Sequence, residues 1–245
     1  YPEAQGDGVR IVDDGSSNGL YEARMQAPRS LWDAGYKETS WITQWSTLGP
    51  IILIPRLKQK IASHYPGTKL SFSEYFYGGG THISGGIAEA DVLGIFGRDD
   101  VFWATLWYGA AKQGDFIYAA MAMYRNFDGA GGSFGDTSVQ TSTDKPETSS
   151  AYGSIDAANP GRTVIVVINK ESTARTAGIA VTQTVAYGTA HVYQLTSASA
   201  APVKGADIPI TKTNAFTYSM PARSVSTIVL ELRGVIWIAG ARRCA

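Results

Sequence analysis

The clearest structural pattern in this sequence lies in residues 69–97, Lys-Leu-Ser-Phe-Ser-Glu-Tyr-Phe-Tyr-Gly-Gly-Gly-Thr-His-Ile-Ser-Gly-Gly-Ile-Ala-Glu-Ala-Asp-Val-Leu-Gly-Ile-Phe-Gly. It predicts a short buried strand over 69–73, a carboxylate at the C-terminal end of that strand (Glu74), a glycine-rich loop and a helix. Apolar residues recur at helical spacing between Ile83 and Phe96, which indicates a helix with a broad apolar face. Strand, loop and helix form the repeating unit of a (β/α) barrel, where a carboxylate at the junction of strand and loop lies on the catalytic face.

The residues after Glu74 strengthen its candidacy as a functional group. On its own, a carboxylate after a strand is usually a solvated loop residue. Here three aromatic rings, Tyr75, Phe76 and Tyr77, follow it directly, and the glycines at 78–80 allow a tight turn and the close approach of a ligand. Carbohydrate sites need apolar faces for sugar rings and carboxylates for the chemistry, so the stretch indicates a sugar-binding loop.

The stretch resembles glycoside hydrolase family 44, a family of bacterial endoglucanases and xyloglucanases with a barrel and a β-sandwich domain. The matching residues are 73–75, the Tyr-Gly-Gly at 77–79, and the runs 82–88 and 90–97. The resemblance extends upstream to Tyr1-Pro2-Glu3 and downstream into the β-rich part of the sequence. It covers most of this chain, but only about the second half of the family's two domains.

The resemblance implies an α/β plus all-β architecture. Residues 1–130 would be the C-terminal portion of a (β/α)8 TIM barrel, residues 131–233 a β-sandwich domain, and residues 234–245 an irregular tail. Six barrel strands would then lie outside the sequence. Because barrel closure requires all eight strands, we expect the chain to be a fragment, a cleaved half or one chain of a split pair.

The periodicity of the remaining sequence fits this division. Helices are predicted over 51–61 and 115–127, and the last barrel strand over 101–107. Beyond a segment rich in Gly, Ser, Thr and Asp (128–150), the apolar period changes to two. This predicts sandwich strands over 163–169, 178–181, 191–195, 215–220 and 226–232.

Glycoside hydrolysis requires two carboxylates, and the resemblance implies that Glu74 is the nucleophile of a retaining mechanism. The general acid would then lie about 5–5.5 Å from Glu74, on the N-terminal half of the barrel, which this sequence lacks. Glu3 is not assigned a catalytic role.

Aromatic side chains supply the candidate substrate contacts. Trp41 and Trp45 are four residues apart and share a face if the segment is helical, as a core pair or as sugar-stacking platforms. The resemblance favours the second reading and also implies a glycan contact for Trp107, which follows the last barrel strand. Tyr75 and Tyr77 are candidates for a hydrogen bond to Glu74 or to a sugar hydroxyl, with packing in the loop as the equal alternative.

Other motifs carry little weight. The G-x-S-x-G pattern at residues 15–19 needs a preceding core strand and a following helix to form a serine nucleophile elbow, and Arg10-Ile11-Val12 is too short for that strand. His82 is interpreted as structural. The three histidines are too scattered to form a metal site, and no phosphate-binding glycine motif occurs.

Composition excludes several classes of partner. Lys plus Arg equals Asp plus Glu, at 21 each, so no basic surface indicates nucleic acid or a membrane. The single cysteine, Cys244, forms neither an internal disulfide nor a cysteine metal site. No apolar run approaches the roughly 20 residues of a membrane span.

The sequence therefore predicts an endo-β-1,4-glucanase that acts on a polysaccharide such as cellulose or xyloglucan, with xylan and glucomannan left open. No cofactor is expected for the chemistry, and a structural calcium ion is left open. An extracellular, bacterial location follows from the polymeric substrate. The alternative is a non-catalytic carbohydrate-binding or structural fragment, whose β-domain would display coplanar exposed aromatic rings.

Overall fold

The computed structural model describes residues 2–45, 49–107 and 115–234. The fold is mixed and sheet-rich, with few helices. The helices are α1 (Asn18–Gln26), α2 (Trp41–Trp45), α3 (Leu53–His64), α4 (Ile83–Arg98) and α5 (Phe116–Arg125), and a 3₁₀ turn spans Ala27–Leu31. The strands are β1 (Gln5–Gly6), β2 (Val9–Arg10), β3 (Ser71–Tyr75), β4 (Trp103–Leu106), β5 (Thr137–Val139), β6 (Ser149–Asp156), β7 (Asn159–Asn169), β8 (Arg175–Ala180), β9 (Tyr187–Thr196), β10 (Ser199–Lys204), β11 (Ile208–Pro209), β12 (Ala215–Met220) and β13 (Ser224–Leu232).

Helix α4 lies at the centre of the molecule and is buried on nearly all sides. His82 is its N-terminal capping residue, and the His82 side chain accepts a hydrogen bond from the Ser84 backbone N–H. Asp99 is its C-terminal capping residue. It contacts α1, α5 and strands of the β-rich part. The predicted helix is confirmed, but its apolar face extends almost around the whole helix because elements pack on both sides of it.

Strands β3 and β4 form a parallel pair. The side chains of Phe72, Tyr75 and Phe96 pack together, with ring centroids 5.1 Å and 5.2 Å from the Phe96 ring, and this joins β3 to α4. Ser71, Ser73 and Glu74 are exposed, so the expectation of a buried strand was correct only for the face that meets α4. Among the described residues no closed barrel is seen.

The β-rich part contains two antiparallel sheets. One has the order β10-β9-β13-β7-β6-β5, with β11 also pairing with β9, and the other consists of β12 and β8. The long central strands β7 and β13 are mostly buried because their Val, Ile and Leu side chains meet helices on one face and the smaller sheet on the other. The five strands predicted in this part are confirmed, while β6 and β10 were not predicted.

The helices and the larger sheet share one core. A single cluster of buried apolar residues includes Ile87 of α4, Met123 of α5 and Val166 of β7. The Thr227 hydroxyl of β13 also donates a 2.7 Å hydrogen bond to the Met123 carbonyl. The predicted boundary near residue 130 is therefore crossed by continuous packing and stays a prediction.

Two further expectations concern the C-terminal tail and the lack of a membrane span. Residues 235–245 lie outside the described residues, and so do Cys244 and most of the predicted tail. None of the helices in the described part of the chain has the length and apolar character that crossing a membrane would require.

Candidate functional site

Glu74 and Trp107 lie at the same edge of the β3–β4 pair. Both strands run in the same direction, Glu74 is near the end of β3, and Trp107 directly follows β4. The Trp107 backbone N–H donates a 2.9 Å hydrogen bond to the Tyr75 carbonyl, which fixes the two strand ends against each other. Both side chains are exposed, and 60% of Trp107 is accessible. The arrangement places a carboxylate and an open indole ring at neighbouring strand ends.

Glu74 lies in a β-bulge. Phe72 pairs with Ala104 and Tyr75 pairs with Leu106, so three steps along β3 match two along β4. The extra residue breaks the alternation of the strand, and Ser73 and Glu74 are both exposed. Bulges commonly redirect a side chain beside an active site. The bulge explains how Glu74 can be exposed while Tyr75, the next residue, is buried.

The glycine loop after β3 packs tightly against the first part of the chain. Gly78 has φ of +74°, and a Cβ there would lie 2.2 Å from the Ile11 carbonyl oxygen. The buried Arg24 guanidinium donates to that same oxygen (2.8 Å) and to the Ser84 hydroxyl (3.0 Å). Burial lowers the pKa of Arg24. Arg24 thus joins α1, the Ile11 turn and the start of α4, a role that no pattern in the sequence indicated.

Tyr75 lies in the core. Its hydroxyl donates a 2.8 Å hydrogen bond to Glu89 Oε1 of α4, and both residues are buried. Burial raises the pKa of Glu89 to about 7, and the hydrogen bond from Tyr75 partly opposes this shift. Burial, followed by the charge of Glu89, raises the pKa of Tyr75. Of the two alternatives for Tyr75, the geometry favours packing over contact with a sugar.

Tyr77 has the same outcome. Its side chain is buried in the main apolar cluster, and burial, followed by the nearby charge of Glu38, raises its pKa. Glu38 is itself buried, and the Ser30 hydroxyl donates to its Oε2 at 2.5 Å. Tyr75 and Tyr77 are therefore packing residues of the core rather than exposed faces for a sugar ring.

Trp41 and Trp45 form a separate aromatic surface on α2. The segment is helical, which is the condition under which the two tryptophans were predicted to share a face. The two side chains are 55% and 85% exposed, so they are not a core pair. The Trp41 indole N–H donates a 3.0 Å hydrogen bond to Glu3 Oε2, and Glu3 Oε1 lies 2.6 Å from Arg10. Glu3 therefore orients an exposed indole.

Two sequence patterns have structural roles. His82 caps α4, its ring stacks on Tyr21 with centroids 3.6 Å apart, and burial lowers its pKa. Ser17, the serine of the G-x-S-x-G pattern, caps α1 by accepting a hydrogen bond from the Leu20 N–H. Strand β2, which precedes it, has two residues and pairs only with β1 among the described strands, so no nucleophile elbow is formed.

Two other kinds of site were considered possible from the fold: a metal centre and a ligand groove. Among the described residues, no group of three or more His, Cys, Asp or Glu side chains is arranged to hold a metal ion. A groove of about 630 Å³ lies away from Glu74, between β8, β6 and the segment 139–145. Its lining consists mostly of Ser, Thr and aliphatic side chains and contains no aromatic ring.

Known proteins similar to this chain include glucan-degrading enzymes. No family model matches the chain. Endoglucanase A of Paenibacillus lautus is 40% identical over 233 residues, which is 94% of this chain and 33% of the relative. A solved xyloglucanase of Paenibacillus polymyxa, from glycoside hydrolase family 44, is 41% identical with a TM-score of 0.89.

The resemblance to glycoside hydrolase family 44 is confirmed. It extends over 94% of this chain and 45% of the xyloglucanase, so the chain spans less than half the length of these relatives. A bifunctional glucanase-xylanase from a metagenome library has the same fold, with 32% identity and a TM-score of 0.84. The chain is therefore similar to part of the family 44 structures over almost its whole length.

Proposed function

We propose that the protein to which this chain belongs is a glycoside hydrolase, an endo-β-1,4-glucanase with Glu74 as its nucleophile. The observation that carries the proposal is the bulge that exposes Glu74 beside Trp107 at neighbouring ends of two parallel strands. A carboxylate at a strand end is the position of catalytic groups in (β/α) barrels. Similarity to family 44 glucanases over nearly the whole chain supports the same chemistry.

In the proposed reaction, Glu74 attacks the anomeric carbon and forms a glycosyl-enzyme ester, which water then hydrolyses with retention of configuration. A second carboxyl group protonates the leaving oxygen, at about 5–5.5 Å from Glu74. We assign this acid to a part of the barrel outside the present chain, either in the same polypeptide or in a second one. Residues 1–130 are then the C-terminal portion of the barrel and residues 131–233 its β-sandwich.

The proposed substrate is a β-1,4-linked glucan. The relatives are described as an endoglucanase, a xyloglucanase and a bifunctional glucanase-xylanase. Trp41, Trp45 and Trp107 offer exposed indole faces that suit neutral sugar rings. Xylan fits the same proposal, because a cleft open enough for internal cleavage tolerates the loss of a hydroxymethyl group.

The two carboxylates complete the chemistry, so the proposal includes no cofactor. It also includes an extracellular location, because the substrate is a polymer too large to enter a cell.

The alternative, a non-catalytic carbohydrate-binding module, has less support. The exposed large aromatic side chains among the described residues all lie before residue 130: Trp41, Trp45, Tyr65, Phe102, Trp103, Trp107 and Tyr118. The only large exposed apolar residue in the β-rich part is Val203 within the same described set. Glycan-binding faces of sandwich modules need several such rings, so the aromatic candidates for glycan binding lie in the helical part that also contains Glu74 rather than in the β-rich part.

Release of reducing sugar from xyloglucan and carboxymethylcellulose tests the proposal. The full-length protein should hydrolyse at least one of them. Glu74→Gln should lower the activity by several orders of magnitude, because the covalent intermediate can no longer form. Ser73→Ala alters the other exposed residue of the bulge and is the matched control, with activity expected within a few-fold of the parent. Substantial hydrolysis by Glu74→Gln would overturn the assignment.

A further inference from the structure

The bulge that exposes Glu74 must be held at both ends, because an extra residue in a strand breaks the regular ladder of hydrogen bonds. At one end, Phe72 stacks on Phe96 of α4 with ring centroids 5.1 Å apart. At the other end, Tyr75 is held by its backbone carbonyl, which accepts from the Trp107 N–H, and by its side chain. The side chain of Tyr75 therefore fixes the residue that follows Glu74.

Glu89 is the polar group that holds this side chain. Its Oε1 accepts the Tyr75 hydroxyl at 2.8 Å, and only 1% of the residue is exposed. A buried carboxyl group on a central helix is costly unless it is hydrogen-bonded. The two-carboxylate reaction assigns no role to Glu89. A buried acid that contacts the residue next to the nucleophile therefore needs another explanation.

The geometry of α4 separates this role from general stabilisation. Residues two positions apart on an α-helix are rotated by about 200°, so Glu89 and Asp91 face opposite sides. Glu89 meets the Glu74 strand. Asp91 instead meets Tyr152 of β6 at 2.6 Å and Lys170, the residue after β7, at 2.8 Å. The two acids are equally buried, but only Glu89 contacts the bulge.

We propose that Glu89 is a positioning residue for Glu74, acting through the Tyr75 hydroxyl to hold the bulge in the conformation that aims the nucleophile at the substrate. This inference rests on the proposed function of Glu74. A displacement of about 1 Å in a reacting group can cost about a hundredfold in rate, so a hydrogen bond behind the strand is sufficient to affect catalysis. The proposed substrate contacts are the exposed indole rings of Trp41, Trp45 and Trp107, so we expect little change in substrate binding.

The test measures kcat and KM of the full-length protein on xyloglucan for the variants Glu89→Leu, Tyr75→Phe and the double variant. Leucine removes the acceptor of the Tyr75 hydroxyl, whereas glutamine would keep one. We expect each single variant to lower kcat about tenfold to a hundredfold, with KM within about twofold. The double variant should have a kcat no lower than that of the more impaired single variant, because both changes remove the same hydrogen bond. If Glu89→Leu fails to fold, Tyr75→Phe keeps the ring and tests the same hydrogen bond.

Tyr152→Phe is the matched control for Tyr75→Phe, since it removes the hydroxyl that donates to Asp91, the other buried acid of the same helix. It should lower the melting temperature while kcat at 25 °C stays within about twofold. Wild-type kcat in both Glu89→Leu and Tyr75→Phe, or an equal loss of kcat in Tyr152→Phe, would overturn the positioning role. Glu74→Gln separates this inference from the proposed function. If Glu74→Gln retains activity, the proposed function fails, whereas an inactive Glu74→Gln beside wild-type kcat in Glu89→Leu and Tyr75→Phe overturns the positioning role alone.

Discussion

The Tyr152 hydroxyl donates a 2.6 Å hydrogen bond to Asp91 Oδ1, joining the large sheet to the helix behind the Glu74 strand. Lys170 Nζ lies 2.8 Å from the other oxygen of the same carboxylate, and both members of this ion pair are 1% exposed. The contact crosses the predicted domain boundary. It indicates that the β-rich part is a fixed support for the strand ends rather than a loosely tethered module.

Loss of the buried cation should be costly. Lys170→Met leaves the Asp91 carboxylate buried with one hydrogen bond, and breaking such a pair from one side typically costs about 3–5 kcal/mol. The exposed pair of Lys204 and Asp207 provides the control, because Lys204→Met should change stability by about 1 kcal/mol or less. Urea unfolding measures both, and equal effects would contradict the structural role of the buried pair.

Two glycines of α4 should respond oppositely to alanine. A Cβ at Gly94 would lie 2.2 Å from the Tyr152 ring, so Gly94→Ala should destabilise the fold by about 1–3 kcal/mol. A Cβ at Gly97 meets no atom within 4 Å, so Gly97→Ala should stabilise the helix by up to about 1 kcal/mol. Thermal unfolding of the two variants checks the packing of Tyr152 on α4, and a stable Gly94→Ala variant would contradict it.

The buried carboxyl of Glu89 should make stability depend on pH. Its pKa rises from 4.5 to about 7 on folding, so the native state holds the proton more tightly than the unfolded state. Its contribution is fully present below pH 4.5 and is lost as the pH rises through about 7. At about 1.4 kcal/mol per pKa unit, the loss is about 3 kcal/mol.

The difference between the parent and Glu89→Gln isolates this contribution from other titrations. The unfolding free energy of the parent should fall relative to the variant between pH 4.5 and 8. A constant difference across that range would show that Glu89 titrates at its ordinary pKa.

Glu3 should influence glycan binding through Trp41. Glu3→Ala removes the acceptor of the indole N–H and should weaken binding of xyloglucan oligosaccharides to the full-length protein less than Trp41→Ala does. Truncation of a tryptophan anchor commonly costs about 2 kcal/mol or more, which is a loss of about thirtyfold or more in affinity. Titration calorimetry measures both, and unchanged affinity in Trp41→Ala would remove Trp41 from the proposed binding surface.

The sequence predicted those parts of the fold that local patterns specify. Helices α4 and α5 and strands β7 and β13 carry long apolar periodic runs, and they lie where these runs predict. Strand β6 was not predicted, since its sequence Ser-Ser-Ala-Tyr-Gly-Ser lacks the apolar alternation of a typical strand. It forms because β5 and β7 supply hydrogen-bonding partners on its two sides. Helix α1 was missed because its sequence has a weak apolar face, and its clearest signal is the Ser17 cap.

The site divides in the same way. Exposed tryptophans and a strand-end carboxylate are visible as residue types in a sequence. The bulge at Glu74 depends on the register between β3 and β4, and the bond between Tyr75 and Glu89 depends on how α4 packs on that strand. The sequence left sugar contact and packing as equal alternatives for Tyr75 and Tyr77. It could not separate them because the bulge, which the sequence does not reveal, places Tyr75 on the face of β3 that meets α4.

Covalent labelling would identify the nucleophile by trapping the glycosyl-enzyme ester on it. A 2-deoxy-2-fluoro cellobioside with a dinitrophenyl leaving group slows hydrolysis of the glycosyl-enzyme and needs little help from a general acid, so it should trap the ester on the nucleophile. After incubation with the full-length protein and proteolysis, mass spectrometry should find the added fluoroglycosyl mass on the peptide that contains Glu74, and none in Glu74→Gln. A label on a different carboxylate, with Glu74 unmodified, would contradict the account.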